Sequence, residues 1–450
     1  MRSGRLSASK VASSAALGLP GILAGAILLA AYVLIVFEAV NRAIVALLGA
    51  CLIVMLGVLS QPEALAAIDF NTLGLLAGMM IVVSVATRSG LFSFLAIRTA
   101  QLVRASPAGI LAAFAVVTAV LSAFVNNVTI VSLTVPVTFI ICGELKLPVY
   151  PFLVTEIFSS NIGGTATLIG DPPNVLIGSA TGFSFDAFAA NLAPLACAVL
   201  LVQILVCHAI WGRRLRATAE ERKRVMNIKA NEVIEDTYLL ACSAAVILGV
   251  VCALVFATEL HLEPATVAIF GAAVLLLLQA LPKARHNHGE MVSVALMDVD
   301  WMTLMFLMGL FVMVGGLAHA GILNIFGNML LRATGHNVHL ATALILWLSA
   351  ALSSIVDNVP YVAAMIPLIK GLAPQFGNPQ TLAPLWWSLA LGAGLGGNGT
   401  LIGASANLTV AALAERNGVR FSFLDFTAAA MPLMVTTVII ANLYLAWRFG

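Results

Sequence analysis

The sequence "GGTATLIGDPPN" at Gly163–Asn174 recurs, little changed, as "GGNGTLIGASAN" at Gly396–Asn407, each time inside an apolar run. Paired glycines weaken a helix, and Pro172 and Pro173 each lack a backbone N–H donor. We therefore predict that each stretch interrupts a helix, although paired glycines also occur where two membrane helices pack closely. An interrupted helix turns N–H groups and carbonyls towards a cavity, where they can bind an ion or a polar solute.

The rest of the chain repeats around these two stretches. "LSAFVNNV" from Leu121 aligns without a gap with "LSSIVDNV" from Leu352, and "FSFDAF" from Phe183 is matched by "FSFLDF" from Phe421. Matched blocks in the same order indicate an internal duplication, which is common among transporters. We predict three parts: a first repeat at 1–211, a basic linker at 212–237 and a second repeat at 238–450.

Composition places the chain in a membrane. Hydrophobic residues make up 61% of the sequence and charged residues 9%, and the mean hydropathy is +1.05. A soluble domain has roughly 25% charged residues, so a soluble fold is excluded. We expect no nucleic-acid partner. We expect a multi-pass protein of the plasma membrane, the cell inner membrane, with the lipid bilayer as its solvent.

Each repeat contains six apolar runs, and the fourth, at 108–143 and at 340–370, has a polar pair near its middle. This pattern is typical of a re-entrant hairpin, which does not cross the bilayer, so five crossings remain in each repeat. An odd number of crossings inverts the second repeat relative to the first. The linker at 212–237 carries the densest basic run, so we place it in the cytoplasm. The predicted fold is an all-α integral membrane protein of two inverted repeats of five transmembrane helices, each with a re-entrant hairpin and a mid-membrane broken helix.

Polar side chains are costly in hydrocarbon and are expected there only at functional positions. Asn127 and Asn358 occupy matching places in the two hairpins, which favours a substrate site over an isolated interhelical contact. Asp357 is the first candidate for a coupling proton because its counterpart, Asn126, is neutral, and Asp171 is the second. Glu156 is a third candidate, with the alternative that it faces water at a helix mouth.

Other functional classes lack their motifs. The apolar runs contain no HExxH, GxSxG or Asp-rich metal motif, so we expect no enzyme activity, and the P-loop of an ATP-driven pump is absent from the sequence. A separate ATPase subunit stays open as a partner. The six cysteines show no metal-ligand spacing and are interpreted as packing residues rather than as a thiol site for a metalloid. We expect no cofactor and no bound metal.

At these motifs the sequence resembles the ion transporter superfamily, in the branch of arsenite permeases, sodium/proton antiporters of the NhaD type and the melanosomal P protein. The resemblance covers nearly the whole chain and is strongest at Ser159–Gly178. It implies a substrate site at the hairpin tips and helix breaks, and an elevator-type homodimer. The implied substrate-binding residues are Asn126, Asn127, Thr129, Thr165, Thr167, Asn174, Asp357, Asn358, Asn398, Thr400 and Asn407.

The expected substrate is small and carries at most one charge. The hairpin tips lack the Ser-Asn-Thr triplets of sodium-coupled dicarboxylate carriers, and the four polar clusters contain no Arg or Lys to balance an anion. Arsenite or antimonite, which are mainly neutral trihydroxides at neutral pH, suit amide and hydroxyl groups, with an Asp taking the antiported proton. A sodium/proton antiporter or a small-anion transporter of the same superfamily is the alternative.

Overall fold

The computed structural model describes residues 18–36, 40–281, 288–321, 335, 337–376 and 382–449, and all regular secondary structure within them is helical. The all-helical fold class is therefore confirmed. A π-helical turn at His208–Gly212 and a 3-10 turn at Ala230–Val233 supplement the α-helices. The α-helices are α1 Leu19–Val36, α2 Arg42–Met55, α3 Gln61–Ala67, α4 Phe70–Thr87, α5 Leu91–Leu102, α6 Pro107–Ser122, α7 Asn127–Leu145, α8 Tyr150–Thr165, α9 Pro172–Thr181, α10 Phe185–Cys207, α11 Ala219–Met226, α12 Thr237–Val255, α13 Pro264–Ala280, α14 His288–Met297, α15 Trp301–His319, α16 Val338–Ser353, α17 Asn358–Phe376, α18 Ala383–Gly396, α19 Ser405–Arg416 and α20 Phe423–Phe449.

Among the described residues, six helices are long and apolar enough to span a membrane. Other apolar helices of 10–17 residues are shorter than the roughly 20 residues that a straight crossing needs. The protein is thus a multi-pass membrane protein, whereas five crossings in each repeat stay a prediction. The six long apolar segments are Phe70–Thr87, Asn127–Leu145, Phe185–Gly212, Thr237–Val255, Trp301–His319 and Phe423–Phe449.

The chain forms two compact units, and each unit takes segments from both sequence repeats. The first comprises Met1–Phe70, Trp301–Asn337 and Ala363–Leu382, and the second comprises the remaining segments. Within the first unit, Gly309 of α15 lies directly against the backbone of Ala46 in α2. A side chain at position 309 would separate these two helices, so the glycine permits their close packing.

Helix α8 lies at the centre of the second unit, with Pro151–Thr165 all buried. It packs against α6, α7 and α10, and also against α18 and α19 of the other repeat. Gly163 of α8 lies directly against the backbone of Ala119 in α6, and Gly396 of α18 lies against the backbone of Ala350 in α16 in the same way. The matched sequence blocks therefore make matched contacts.

Both predicted hairpin runs contain a turn between two helices. The first run forms α6 and α7, and the second forms α16 and α17. Asn126 caps α7 by accepting a hydrogen bond from the Val128 N–H at 2.9 Å, and Asp357 caps α17 by accepting from the Val359 N–H at 3.1 Å. Because Asp and Asn are both good N-cap residues, this position accepts either one.

The predicted linker packs on the second unit. Val225 of α11 is fully buried in an apolar cluster with residues of α5, α6 and α7. The Arg222 guanidinium donates to the Arg104 carbonyl at 2.9 Å, and Arg224 forms an ion pair with Glu144 at 3.3 Å. The segment therefore holds a fixed position at the ends of these helices.

Candidate functional site

The first helix break separates α8, which ends at Thr165, from α9, which begins at Pro172. The Asn174 side-chain amide donates to the Thr167 carbonyl at 2.8 Å and lies 3.3 Å from the Gly164 and Thr165 carbonyls. The Thr167 hydroxyl donates to the Ala123 carbonyl in the hairpin turn. Side chains thus satisfy carbonyls that the interrupted helix leaves without partners.

The second break, between α18 and α19, has the same construction. Asn407 donates to the Gly397 and Thr400 carbonyls at 2.8 and 2.9 Å, and the Thr400 hydroxyl donates to the Ser354 carbonyl at 2.5 Å. Each break is therefore held to the hairpin turn of its own repeat by a threonine and stabilised internally by an asparagine. These four residues were predicted as site residues. Thr167 and Asn174 have these roles in the first break, and Thr400 and Asn407 have them in the second.

Four asparagines meet at the centre of the second unit and form what we call the amide cluster: Asn127, Asn161, Asn398 and Asn407. The Asn161 Nδ2 donates to Asn398 Oδ1 at 2.9 Å and to Asn407 Oδ1 at 3.0 Å. The Asn127 Nδ2 lies 3.4 Å from Asn161 Oδ1, and the Ser122 hydroxyl donates to Asn127 Oδ1 at 3.0 Å. The first hairpin tip and the second break are therefore joined through α8.

The second hairpin tip contacts both breaks, through Asn358 to Asp171 of the first break and through Asp357 to Ser405 at the end of the second. Asn358 Nδ2 donates to Asp171 Oδ2 at 2.8 Å, and the Ser405 hydroxyl donates to Asp357 Oδ2 at 2.5 Å. Asp171 immediately precedes α9, and Ser405 is the first residue of α19. Within the part of the chain that the structure describes, neither Lys nor Arg forms an ion pair with Asp171.

Glu156 does not face water, so that alternative is wrong. Its side chain is fully buried on α8 and accepts hydrogen bonds from the hydroxyls of Thr134 and Thr138 on α7. These partners lie one turn apart, on either side of Pro136. Its hydrogen bonds are therefore made to α7 and not to the amide cluster.

The remaining predicted site residues, Thr165, Asn126 and Thr129, differ in the hydrogen bonds that they make. The Thr165 hydroxyl donates to the Ile162 carbonyl of its own helix, and Asn126 is the cap of α7. Thr129 is partly buried in the first turn of α7 and makes none of the hydrogen bonds described above. The structure thus brings together both tips and both breaks, with Thr129 at their margin.

Sequence comparison of the repeats missed Asn161 and Ser405. Asn161 aligns with Gly394, and Ser405 with Pro172, so neither has a polar counterpart in the other repeat. The isolated amide of Asn161 inside an apolar run was the available signal, because a polar side chain in hydrocarbon is expected to have a partner or a function.

A cavity of about 620 Å³ in the second unit borders the first break. Its lining includes the apolar residues Leu168 of the break and Val175 of α9, and the polar residues Asn71, His261 and Glu263. The Asn71 amide donates to Glu263 at 2.8 Å, which ties α4 to the start of α13. The cavity therefore lies between the first break and the ends of α4 and α12–α13.

Comparisons with known proteins agree with this architecture. A family model described as CitMHS, citrate transporter, matches residues 32–392. The "Uncharacterized transporter Mb2703" of Mycobacterium bovis is 39% identical over 433 residues, which cover 95% of this chain and 98% of that protein. The human P protein is 33% identical over 507 residues, which cover 94% of this chain and 59% of that longer protein.

The fold is also similar to that of a solved structure. The crystal structure of the YdaH transporter of Alcanivorax borkumensis aligns with a TM-score of 0.59 and 16% identity, covering 85% of this chain and 86% of that one. The resemblance to the ion transporter superfamily that the motifs indicate is confirmed by these matches. The chain therefore belongs to the CitMHS citrate transporter family of that superfamily and is a membrane transporter.

Proposed function

We propose that this protein is a proton-coupled secondary transporter that exports arsenite or antimonite across the plasma membrane. The observation that carries the proposal is the amide cluster, in which residues of the first tip and the second break meet in a buried, uncharged group. Asn398 and Asn407 are fully buried, and Asn161 is 1% exposed. Such a set of amides can donate to and accept from a neutral hydroxylated solute.

The charges around this site favour a neutral substrate over citrate, the solute in the family's name. Asp171 and Asp357 lie beside the helix breaks, and a citrate ion carries several negative charges at neutral pH. Like charges at close range in a medium of low dielectric repel strongly. Citrate is accordingly the comparison substrate in the experiments below.

In the proposed mechanism, Asp357 carries the coupling proton, with Asp171 second and the buried Glu156 third. Asp357 sits on the second hairpin tip and contacts Ser405, so its protonation state acts directly on the contact between tip and break. The matched threonine contacts of the two breaks support the duplication on which the proposed inverted repeats rest. A homodimer with elevator-type movement is the arrangement that the family resemblance implies.

A sodium/proton antiporter is the second candidate, and one observation favours it. Carboxylate oxygens of Asp171 and Asp357, together with amide oxygens, are ligands that a hard cation prefers. Export of arsenite and exchange of sodium would use the same residues, so an experiment on the intact transporter has to separate them.

We expect everted membrane vesicles containing the protein to accumulate labelled arsenite, because everted membranes turn export into uptake. An uncoupler should abolish the accumulation while ATP is maintained, since the proton gradient supplies the energy. A sodium-driven change of internal pH without arsenite uptake would instead establish a cation/proton antiporter. Uptake that survives the uncoupler but requires ATP would point to a separate ATPase subunit.

Asn127→Ala and Asn358→Ala should each raise the KM for arsenite about tenfold, since each removes an amide that holds a hairpin tip on the site. Cys197→Ala, at an exposed position, and Cys207→Ala, at a buried one, should change the KM less than twofold, which is about 0.4 kcal/mol. Initial uptake rates over a range of arsenite concentrations measure the difference. Larger effects from the cysteine variants would show that thiols coordinate the metalloid.

A further inference from the structure

The orientation of the Asn407 amide is fixed by the backbone of the second break. Its Nδ2 donates to the carbonyls of Gly397 and Thr400, so Oδ1 is the atom that faces Asn161. A reversed amide would place oxygen against two carbonyl oxygens and lose both hydrogen bonds. The break therefore presents an acceptor to α8.

This acceptor fixes the orientation of the Asn161 amide, and the Asn161 amide in turn fixes the orientation of the Asn398 amide. The two hydrogens of Asn161 Nδ2 are donated to Asn407 Oδ1 and Asn398 Oδ1, at 3.0 and 2.9 Å. Reversing the Asn398 amide would place its NH₂ group against the NH₂ group of Asn161, and the hydrogen bond between them would be lost. Asn398 must therefore turn Oδ1 towards Asn161 and Nδ2 away from it.

The Asn398 Nδ2 that results has no hydrogen-bond partner. Asn398 is fully buried, and among the described residues its Nδ2 is the one buried side-chain amide donor left without an acceptor. Buried donors are nearly always paired in folded proteins, so an unpaired one within a helix break calls for an acceptor supplied from outside the chain.

The matching position of the first break lacks this feature. Thr165 aligns with Asn398, and its hydroxyl donates to the Ile162 carbonyl at 2.7 Å. The unpaired donor is therefore specific to the second break and does not follow from the duplicated fold.

We propose that Asn161 is a positioning residue that turns the Asn398 Nδ2 towards the transported solute, and that this solute presents an oxygen acceptor at that point. The inference rests on the proposed function, whose site is the amide cluster, and it adds a chemical class: a hydroxyl or carboxylate oxygen. An N–H donor repels a bare cation, so the second break recognises the solute by donating a hydrogen bond to one of its oxygen atoms. Asn398 contacts the solute, and Asn161 acts through Asn398.

The test is a double-mutant cycle on the full chain in liposomes, with labelled arsenite and labelled citrate as probes. Asn398→Ala removes the donor and should raise the KM about tenfold, the effect of one hydrogen bond. Asn161→Asp replaces the donor to Asn398 with an acceptor, so the Asn398 amide turns over, and the KM should again rise about tenfold. Because Asn161 acts through Asn398, the double variant should also show about a tenfold rise, and not about a hundredfold one.

Controls separate this role from a general loss of structure. Gln203→Glu makes the same amide-to-carboxylate change at a fully buried residue outside the cluster, where Nε2 donates to Ser159 and to the Thr155 carbonyl. It should leave the KM unchanged. Thermal melting checks folding, and Asn398→Ser is the second variant if the alanine variant fails to fold.

Additive effects in the cycle, or an unchanged KM in both single variants, would overturn the positioning role. A wild-type protein that takes up citrate but not arsenite refutes the arsenite proposal alone, and the cycle is then measured with citrate. A wild-type protein that moves neither probe but shows a sodium-driven pH change would refute the oxygen-acceptor inference.

Discussion

Asp357→Asn should reduce proton-driven arsenite uptake to the level of empty vesicles while the protein stays folded. The carboxylate accepts hydrogen bonds from the Val359 N–H and from the Ser405 hydroxyl. An asparagine keeps the first through Oδ1, as Asn126 does at the matched tip. It keeps the second by donating to the serine oxygen. The substitution therefore removes mainly the ability to bind and release a proton.

The measurement compares initial arsenite uptake at several pH gradients with the melting temperature of the purified protein. Asp357→Ala is the matched control, because it removes both the proton site and the cap of α17. Both variants should lose uptake, but only the alanine variant should lose stability, by about 1 kcal/mol for the missing cap. Uptake by the asparagine variant that still follows the pH gradient would assign the coupling proton to Asp171 or Glu156.

The positions of the breaks could be predicted from sequence, but the sequence leaves two roles open for their glycines, helix interruption or close helix packing. Gly163 lies within α8 and Gly396 is the last residue of α18, and each permits contact with a neighbouring backbone, which is the packing role. Pro172 and Pro173 begin α9, a position where a missing N–H costs nothing. The chain is interrupted between these elements.

The hydrogen-bond partners within the site could not be predicted from sequence, because these hydrogen bonds connect positions that are not equivalent in the two repeats. Asn161 of the first repeat bonds to Asn398 and Asn407 of the second, and Asn358 of the second bonds to Asp171 of the first. Comparing the repeats identifies equivalent residues, but contacts across the two repeats depend on how the helices pack. The comparison therefore cannot assign partners to Asn161, whose counterpart Gly394 has no side chain.

Gly163→Ala and Gly396→Ala should each destabilise the protein by about 3 kcal/mol, at the upper end of the usual cost of overpacking. A Cβ added at either glycine would lie 2.6 Å from a backbone Cα, that of Ala119 or of Ala350. A flexible side chain could move away from such a contact, but a helix backbone can yield only by shifting the whole helix. Thermal melting of the purified variants measures the loss.

Replacing glycine by alanine should have the opposite effect on stability at Gly143 in α7, where an added Cβ meets nothing within 4 Å. There alanine should raise stability by up to about 1 kcal/mol, because glycine is the poorer helix former. Equal losses at all three positions would contradict close backbone packing as the cause.

Transport should be more sensitive than stability to these two changes. Gly163 follows Asn161 by two residues, and Gly396 precedes Asn398 by two, so a displacement of α8 or α18 acts directly on the 2.9 Å bond between these amides. At a temperature where the variants remain fully folded, arsenite uptake should still fall at least about tenfold, the effect of one lost hydrogen bond. Uptake that declines only in proportion to the unfolded fraction would mean that the spacing of α8 and α18 serves the fold and not the substrate. The close packing at the two glycines would then be independent of the site that it flanks.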